Sequence, residues 1–169
     1  SQELRGRYNK DYLNSFLKEF LILNNLVKPD IVYFGQVDYQ KVKVVEKFLD
    51  EMHLNIEFNV LPTVRDEEGL AVLTRNFTLS KPQLSTAKAL NRTLDFVVRL
   101  IKNGETSTIK LKKMAYEYLE SFEEFDLEYI EVVNPISIKP LQKIDPNQNL
   151  IIEIAGFIGG VRISDNIVV

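Results

Sequence analysis

The sequence predicts an α/β protein: a parallel α/β unit to about residue 63, a connecting segment over 64–79, and a smaller α+β unit over 80–169. Three observations predict it. Apolar stripes at helical spacing alternate with short continuous apolar runs up to residue 61. Pro62 then breaks the pattern, and the second half sets two helices ahead of three strand-like segments. The order helix, strand, helix, strand in the first part favours parallel pairing through a right-handed crossover.

Residues 8–26 carry Tyr12, Leu13, Phe16, Leu17, Phe20 and Leu21 on one helical face, and Lys28-Pro29-Asp30 stops that helix. Ile31-Val32-Tyr33-Phe34 is a continuous apolar run, the pattern of a strand buried on both faces. Gly35 allows a sharp turn, and Asp38 is an N-cap for a helix whose face is Val42, Val45, Leu49 and Met52. Residues 55–61 form the second strand. The polar segment 63–79 shows no clear period. Ser80 opens a long helix, with Pro82 in its first turn and Gln83 completing a capping box. Its face is Leu84, Ala87, Leu90, Leu94, Val97, Val98 and Ile101, and Asn103-Gly104 ends it. A helix at about 107–122 turns Leu111, Ala115, Tyr118, Leu119 and Phe122 inward. Strands follow at 127–133, at 149–155 and, after Gly159-Gly160, at 163–169.

Composition narrows the function. With no cysteine, a disulfide scaffold, a thiolate zinc site and a thiol nucleophile are excluded. The single histidine, His53, excludes a multi-histidine metal site and reads as a surface or structural residue at the end of a helix. A net charge of −3 with interspersed signs gives no basic face for nucleic acid. No run approaches the ~20 apolar residues of a membrane span. Ser1-Gln2-Glu3-Leu4 is no signal peptide, so the expected compartment is the cytoplasm.

Two constellations carry chemistry. Strand, Gly35-x-x-Asp38 and helix suit nucleotide binding, since ligands collect beyond the carboxyl ends of parallel strands. A glycine there admits a ligand to the backbone, and the carboxylate accepts from ribose hydroxyls; the plainer reading is a turn and a cap. Thr74-Arg75-Asn76 offers a hydroxyl, a guanidinium and an amide for a phosphate, against a solvated linker. Asp66-Glu67-Glu68, and Glu120, Glu123, Glu124 and Asp126, read as solvated surface, and no protein-bound metal is expected.

Taken in order, the segments resemble one family. Tyr33-Phe34-Gly35-Gln36-Val37-Asp38-Tyr39-Gln40 is similar to the Phe-Gly-Glu-Lys-Asp-x-Gln-Gln stretch of pantothenate synthetases, the pantoate–β-alanine ligases. Pro62-Thr63-Val64-Arg65-Asp66-Glu67-Glu68-Gly69-Leu70-Ala71 resembles their Pro-Thr-Val-Arg-Glu-x-Asp-Gly-Leu-Ala. Arg75-Asn76 and Leu79-Ser80 match Arg-Asn and Leu-Ser, and Val161-Arg162-Ile163-Ser164-Asp165-Asn166-Ile167 resembles Thr-Arg-Leu-Ile-Asp-Asn-Ile. The matches cover about residues 28–169.

The resemblance implies a partial Rossmann-like nucleotide domain followed by a lid-like C-terminal domain. It implies ATP with Mg2+ as cofactor, and a reaction in which pantoate is adenylated and β-alanine displaces AMP. Gly35, Asp38 and Val64 fall at cofactor-binding positions, Thr74 and Arg75 at catalytic ones, and Gln40 and Lys41 at substrate-binding ones. The departures are specific. The His-x-Gly-His half is not represented, and Arg7 to Leu13 does not reproduce Arg-Pro-Gly-His-Phe. Val37 stands where the phosphate-reaching lysine would be, and Lys41 where the second glutamine would hold pantoate. Two readings of different class follow: a C-terminal part of a ligase homologue, not competent by itself, or a non-catalytic nucleotide-binding or interaction module. The second includes a homo-oligomer, or one chain of a split enzyme partnered by a separate N-terminal half. A third, a nucleotidyltransferase with another substrate, rests on Lys41 alone.

Overall fold

A computed structural model describes residues 4–8, 11–122 and 124–169 of the chain. The expectations for Ser1 to Glu3, for Asn9 and Lys10, and for Glu123 lie outside the described residues. Packing divides the chain into two compact units, Ser1–Pro62 and Thr63–Val169.

In the first unit a short helix α1 (Arg5–Tyr8) precedes α2 (Tyr12–Val27), β1 (Ile31–Gly35), a 3-10 turn (Gln36–Asp38), α3 (Tyr39–Glu51) and β2 (Glu57–Leu61). Lys28 ends α2 in the left-handed conformation, where Pro29 prevents continuation. β1 and β2 pair in parallel, Ile31 opposite Glu57 and Gly35 opposite Leu61. Phe20, Val45 and Leu49 form the buried centre of this unit, with Phe16, Val32, Phe34, Phe48 and Phe58 packed around them. Phe34 meets the rings of Phe16, Phe20 and Phe58.

β1 corrects one expectation. It is not buried on both faces: Val32 and Phe34 face the core, whereas Tyr33 is 59% exposed and Ile31 is also exposed. A two-stranded sheet packed on one face buries only alternate residues, whatever the hydropathy of the run. Met52 is likewise exposed, because α3 stops at Glu51 and leaves it past the apolar face.

The second unit lays α4 (Lys81–Lys102) and α5 (Thr108–Leu119) on one face of an antiparallel sheet of β3 (Phe125–Val133), β4 (Ile151–Ile158) and β5 (Val161–Val168), in the order β3-β4-β5. Ser80 and Gln83 form the capping box in full. Leu90, Leu94 and Val97 of α4 and Leu111 and Ala115 of α5 meet Ile130, Val132, Ile152, Ile154 and Ile158 in the core. Tyr118 stacks on Phe96 at 5.0 Å between ring centres. The last two strands turn through Gly159 and Gly160 at φ 55° and 80°, the positive angles that a two-residue hairpin needs. Among the described residues no helix is long and apolar enough to cross a membrane.

Candidate functional site

Gly35, Asp38, Gln40 and Lys41 share one corner of the first unit, where β1 passes through the 3-10 turn into α3. Gly35 is extended, at φ −76° and ψ 136°, so the expected sharp turn falls on Gln36–Asp38 instead. Any residue can adopt that backbone, and a β-carbon at Gly35 would meet no atom within 4 Å. Neither conformation nor packing within the chain therefore calls for glycine. What it leaves is open space over the backbone at the carboxyl end of a parallel strand.

Asp38 occupies the cap position of α3, but its side chain makes no capping hydrogen bond. Its Oδ2 accepts from Lys41 Nζ at 3.2 Å instead. Lys41 in turn lies 5.2 Å from the centre of the Tyr12 ring and 4.9 Å from that of Phe16. Burial would lower the Lys41 pKa, but Asp38 and Tyr12 outweigh it and hold the ammonium above its ordinary value. Gln40 is only 5% exposed, and its Oε1 accepts from the Gly6 N–H at 3.4 Å. Val37, in the 3-10 turn, brings no cation to this corner.

Val64, Thr74 and Arg75 belong to the second unit, in the segment 64–79 expected to be a connecting, phosphate-loop-like stretch. That segment is built. Val64 accepts from the Val72 N–H at 2.8 Å, and Arg65 bridges Ala71, closing a tight hairpin around Asp66 to Leu70. The Asp66 carboxylate accepts from the N–H groups of Glu68 and Leu70, and Glu68 pairs with Lys88. The acidic run is thus turn and surface chemistry. Val64 is 70% exposed, and Thr74 is exposed at the start of a 3-10 turn (Thr74–Thr78). Arg75 donates through Nη1 to the Arg162 carbonyl at 3.2 Å, fixing that turn to β5.

Sequence reasoning missed the clasp that holds this segment. Arg65 makes a bidentate pair with Asp165 at 2.6 and 2.9 Å and also donates to the carbonyls of Gly69 and Asn166. A second polar group crosses the sheet: Arg162 Nε donates to Glu128 at 2.7 Å, and the Tyr129 hydroxyl to Glu153 Oε1 at 2.6 Å. The available signal was Glu153 inside the otherwise apolar run of β4, and Asp165 in the alternately apolar β5, since buried charges occur paired.

Comparison with known proteins decides the family. The family model described as Pantoate-beta-alanine ligase matches residues 1–168. The chain belongs to the pantoate–β-alanine ligase family. A pantothenate synthetase of Pseudothermotoga lettingae is 32% identical over 98% of this chain and 58% of its own length. A bifunctional pantoate ligase/cytidylate kinase of Thermosynechococcus vestitus is 31% identical over 98% of this chain and 32% of its own. The pantothenate synthetase structure from Thermus thermophilus superposes with a TM-score of 0.79 at 30% identity, over 88% of this chain and 52% of that one. The Francisella tularensis ligase, solved with Beta-gamma ATP and Beta-alanine, shares the fold, with a TM-score of 0.70 at 23% identity over 98% and 54%. The chain thus spans a little over half the length of several of the relatives it matches.

Proposed function

We propose that this chain carries a nucleotide-binding corner of the pantoate–β-alanine ligase family and does not, as it stands, turn over ATP, pantoate and β-alanine. Gly35 carries the reading: it is a glycine in ordinary extended backbone with open space above it, at the end of β1. A nucleotide resting on that backbone would be excluded by a β-carbon. Asp38 would receive the ribose, as the family resemblance assigns it; within the second unit the same resemblance assigns Val64 to adenine and Thr74 and Arg75 to phosphate. Among the described residues no three His, Asp or Glu side chains converge to hold an ion. Mg2+, which the family resemblance implies, would arrive on the nucleotide's phosphates.

Several substitutions argue against turnover. Val37 replaces the phosphate-reaching lysine, and Lys41 replaces the pantoate-holding glutamine and engages Asp38. Losing one group that stabilises transition-state charge costs ~3 kcal/mol, about a hundredfold in rate. Calorimetric titration of the chain with ATP tests the binding claim. ATP should bind, and Asp38→Ala should weaken it; no binding at millimolar ATP would end the nucleotide reading.

A second reading is favoured by the first unit's exposed surface. β1 pairs only with β2 among the described residues, Ile31 and Tyr33 lie exposed on it, and an apolar groove of about 320 Å³ runs along Phe16, Phe20, Leu23, Val27, Val32 and Phe34. A strand edge left open beside apolar surface suits a protein partner, such as a separate N-terminal half of the family's sequence. Light scattering separates the readings, since a monodisperse monomer stable at high concentration argues against a need for such cover.

A further inference from the structure

Two cations converge on one tyrosine in the first unit. The Arg5 guanidinium carbon lies 3.7 Å from the centre of the Tyr12 ring, and the Lys41 ammonium 5.2 Å from the same centre. The two charges are therefore within about 9 Å of each other, near the Debye length of roughly 8 Å at physiological salt, so their repulsion is only partly screened. Asp38 answers Lys41, but among the described residues no carboxylate pairs with Arg5. Of Arg5, Lys41 and Asp38, two are cations and one a carboxylate.

The arrangement is anchored. The Gly6 N–H donates to the buried Gln40, tying α1 to the first turn of α3, and Leu4 beside it is buried. Arg5 is thereby kept next to Lys41. A guanidinium lying over a ring uses its face on the aromatic system and leaves its in-plane N–H donors at the edge. Those donors match the paired oxygens of a carboxylate or phosphate. Lys41 rests with its ammonium 5.2 Å from the Tyr12 ring centre and 4.9 Å from that of Phe16.

We propose that Arg5, Tyr12 and Lys41 form a binding site for a small oxyanion, the carboxylate or phosphate group of the ligand that enters at Gly35. The inference rests on the corner being a ligand site. It goes beyond the family resemblance, in which position 41 is a neutral glutamine, by making charge the selected property. An anion between the cations removes their mutual repulsion and gains charge-assisted hydrogen bonds.

Titration calorimetry of the 169-residue chain with inorganic phosphate, malonate and adenosine tests it. One or both anions should bind, with Arg5→Gln and Lys41→Gln each weakening binding about tenfold and Lys41→Arg retaining it. Added sodium chloride should weaken binding further. Preference for phosphate assigns the group to a nucleotide; preference for malonate assigns it to an organic acid. Failure of both anions to bind, or equal binding by the Arg5→Gln/Lys41→Gln double variant, overturns the proposal. Adenosine binding without anion binding sinks this inference alone. Anion binding without adenosine binding upholds it and removes the nucleotide reading.

Discussion

Replacing Arg65 with alanine should be among the most damaging single changes in the second unit. Asp165 is 2% exposed and receives both guanidinium nitrogens, whereas Arg65 keeps 27% of its side chain in solvent. The carboxylate therefore bears most of the desolvation. Burial pushes its pKa up despite Arg65 and the Asn166 N–H, which pull it down. Removing the arginine leaves a buried carboxylate whose counter-charge is gone, a change that costs about 3–5 kcal/mol. In a unit of this size 1 kcal/mol moves Tm by roughly 4 °C, so the drop is about 12–20 °C by scanning calorimetry. Because the folded pKa of Asp165 is raised, its favourable contribution is present below the unfolded value near 3.8 and is lost as pH rises through the folded one. Without Arg65 the folded pKa rises further, so the deficit should be larger at about pH 8 than at about pH 4. Replacing both partners, Arg65→Met with Asp165→Leu, should recover most of the loss, since the pair's net contribution is small. A Tm for Arg65→Ala within about 3 °C of the parent at pH 8 would show that Asp165 does not depend on Arg65 for its counter-charge.

Three further outcomes follow from the same packing. Ser80→Ala removes the hydroxyl that accepts from the Gln83 N–H and should cost about 1 kcal/mol in urea unfolding, with the urea dependence of unfolding (the m-value) unchanged. Gly69→Ala must place a side chain at φ 86°, with its β-carbon 2.5 Å from Asn91 Oδ1, and should destabilise by roughly 1–3 kcal/mol in the same assay. Burial, and then the Glu153 carboxylate, push the Tyr129 hydroxyl far above the usual tyrosine value of 10.0. Its stabilisation is whole below that pH and lost as pH rises through the folded pKa. Tyr129→Phe should accordingly leave the phenolate absorbance of the folded chain near pH 11 unchanged, and lower it only once the chain is unfolded.

The fold was legible where local rules and tertiary packing agree. Ser80, Pro82 and Gln83 announce α4 by capping chemistry that needs nothing distant, and the stripe from Leu84 to Ile101 names its buried face. The Ile31 to Phe34 run misled because hydropathy records what a strand tolerates, whereas burial depends on how many layers cover it. The site was legible in position and not in chemistry. Asp38 sits at the predicted cap, yet its carboxylate prefers Lys41, three residues on, and no propensity ranks those two partners. Arg65 and Asp165 are a hundred residues apart in sequence, so their pairing exists only once the hairpin lies against β5. Arg5 was invisible for the same reason: its meaning comes from the ring of Tyr12 and from Lys41 beyond it.

The central claim is that the nucleotide corner has outlived the ligase chemistry. Its most direct test is AMP release by the 169-residue chain supplied with ATP, Mg2+, pantoate and β-alanine. AMP should stay at the level of the protein-free control while ATP binding remains measurable by calorimetry. Sustained AMP release, matched mole for mole by pantothenate, would contradict it.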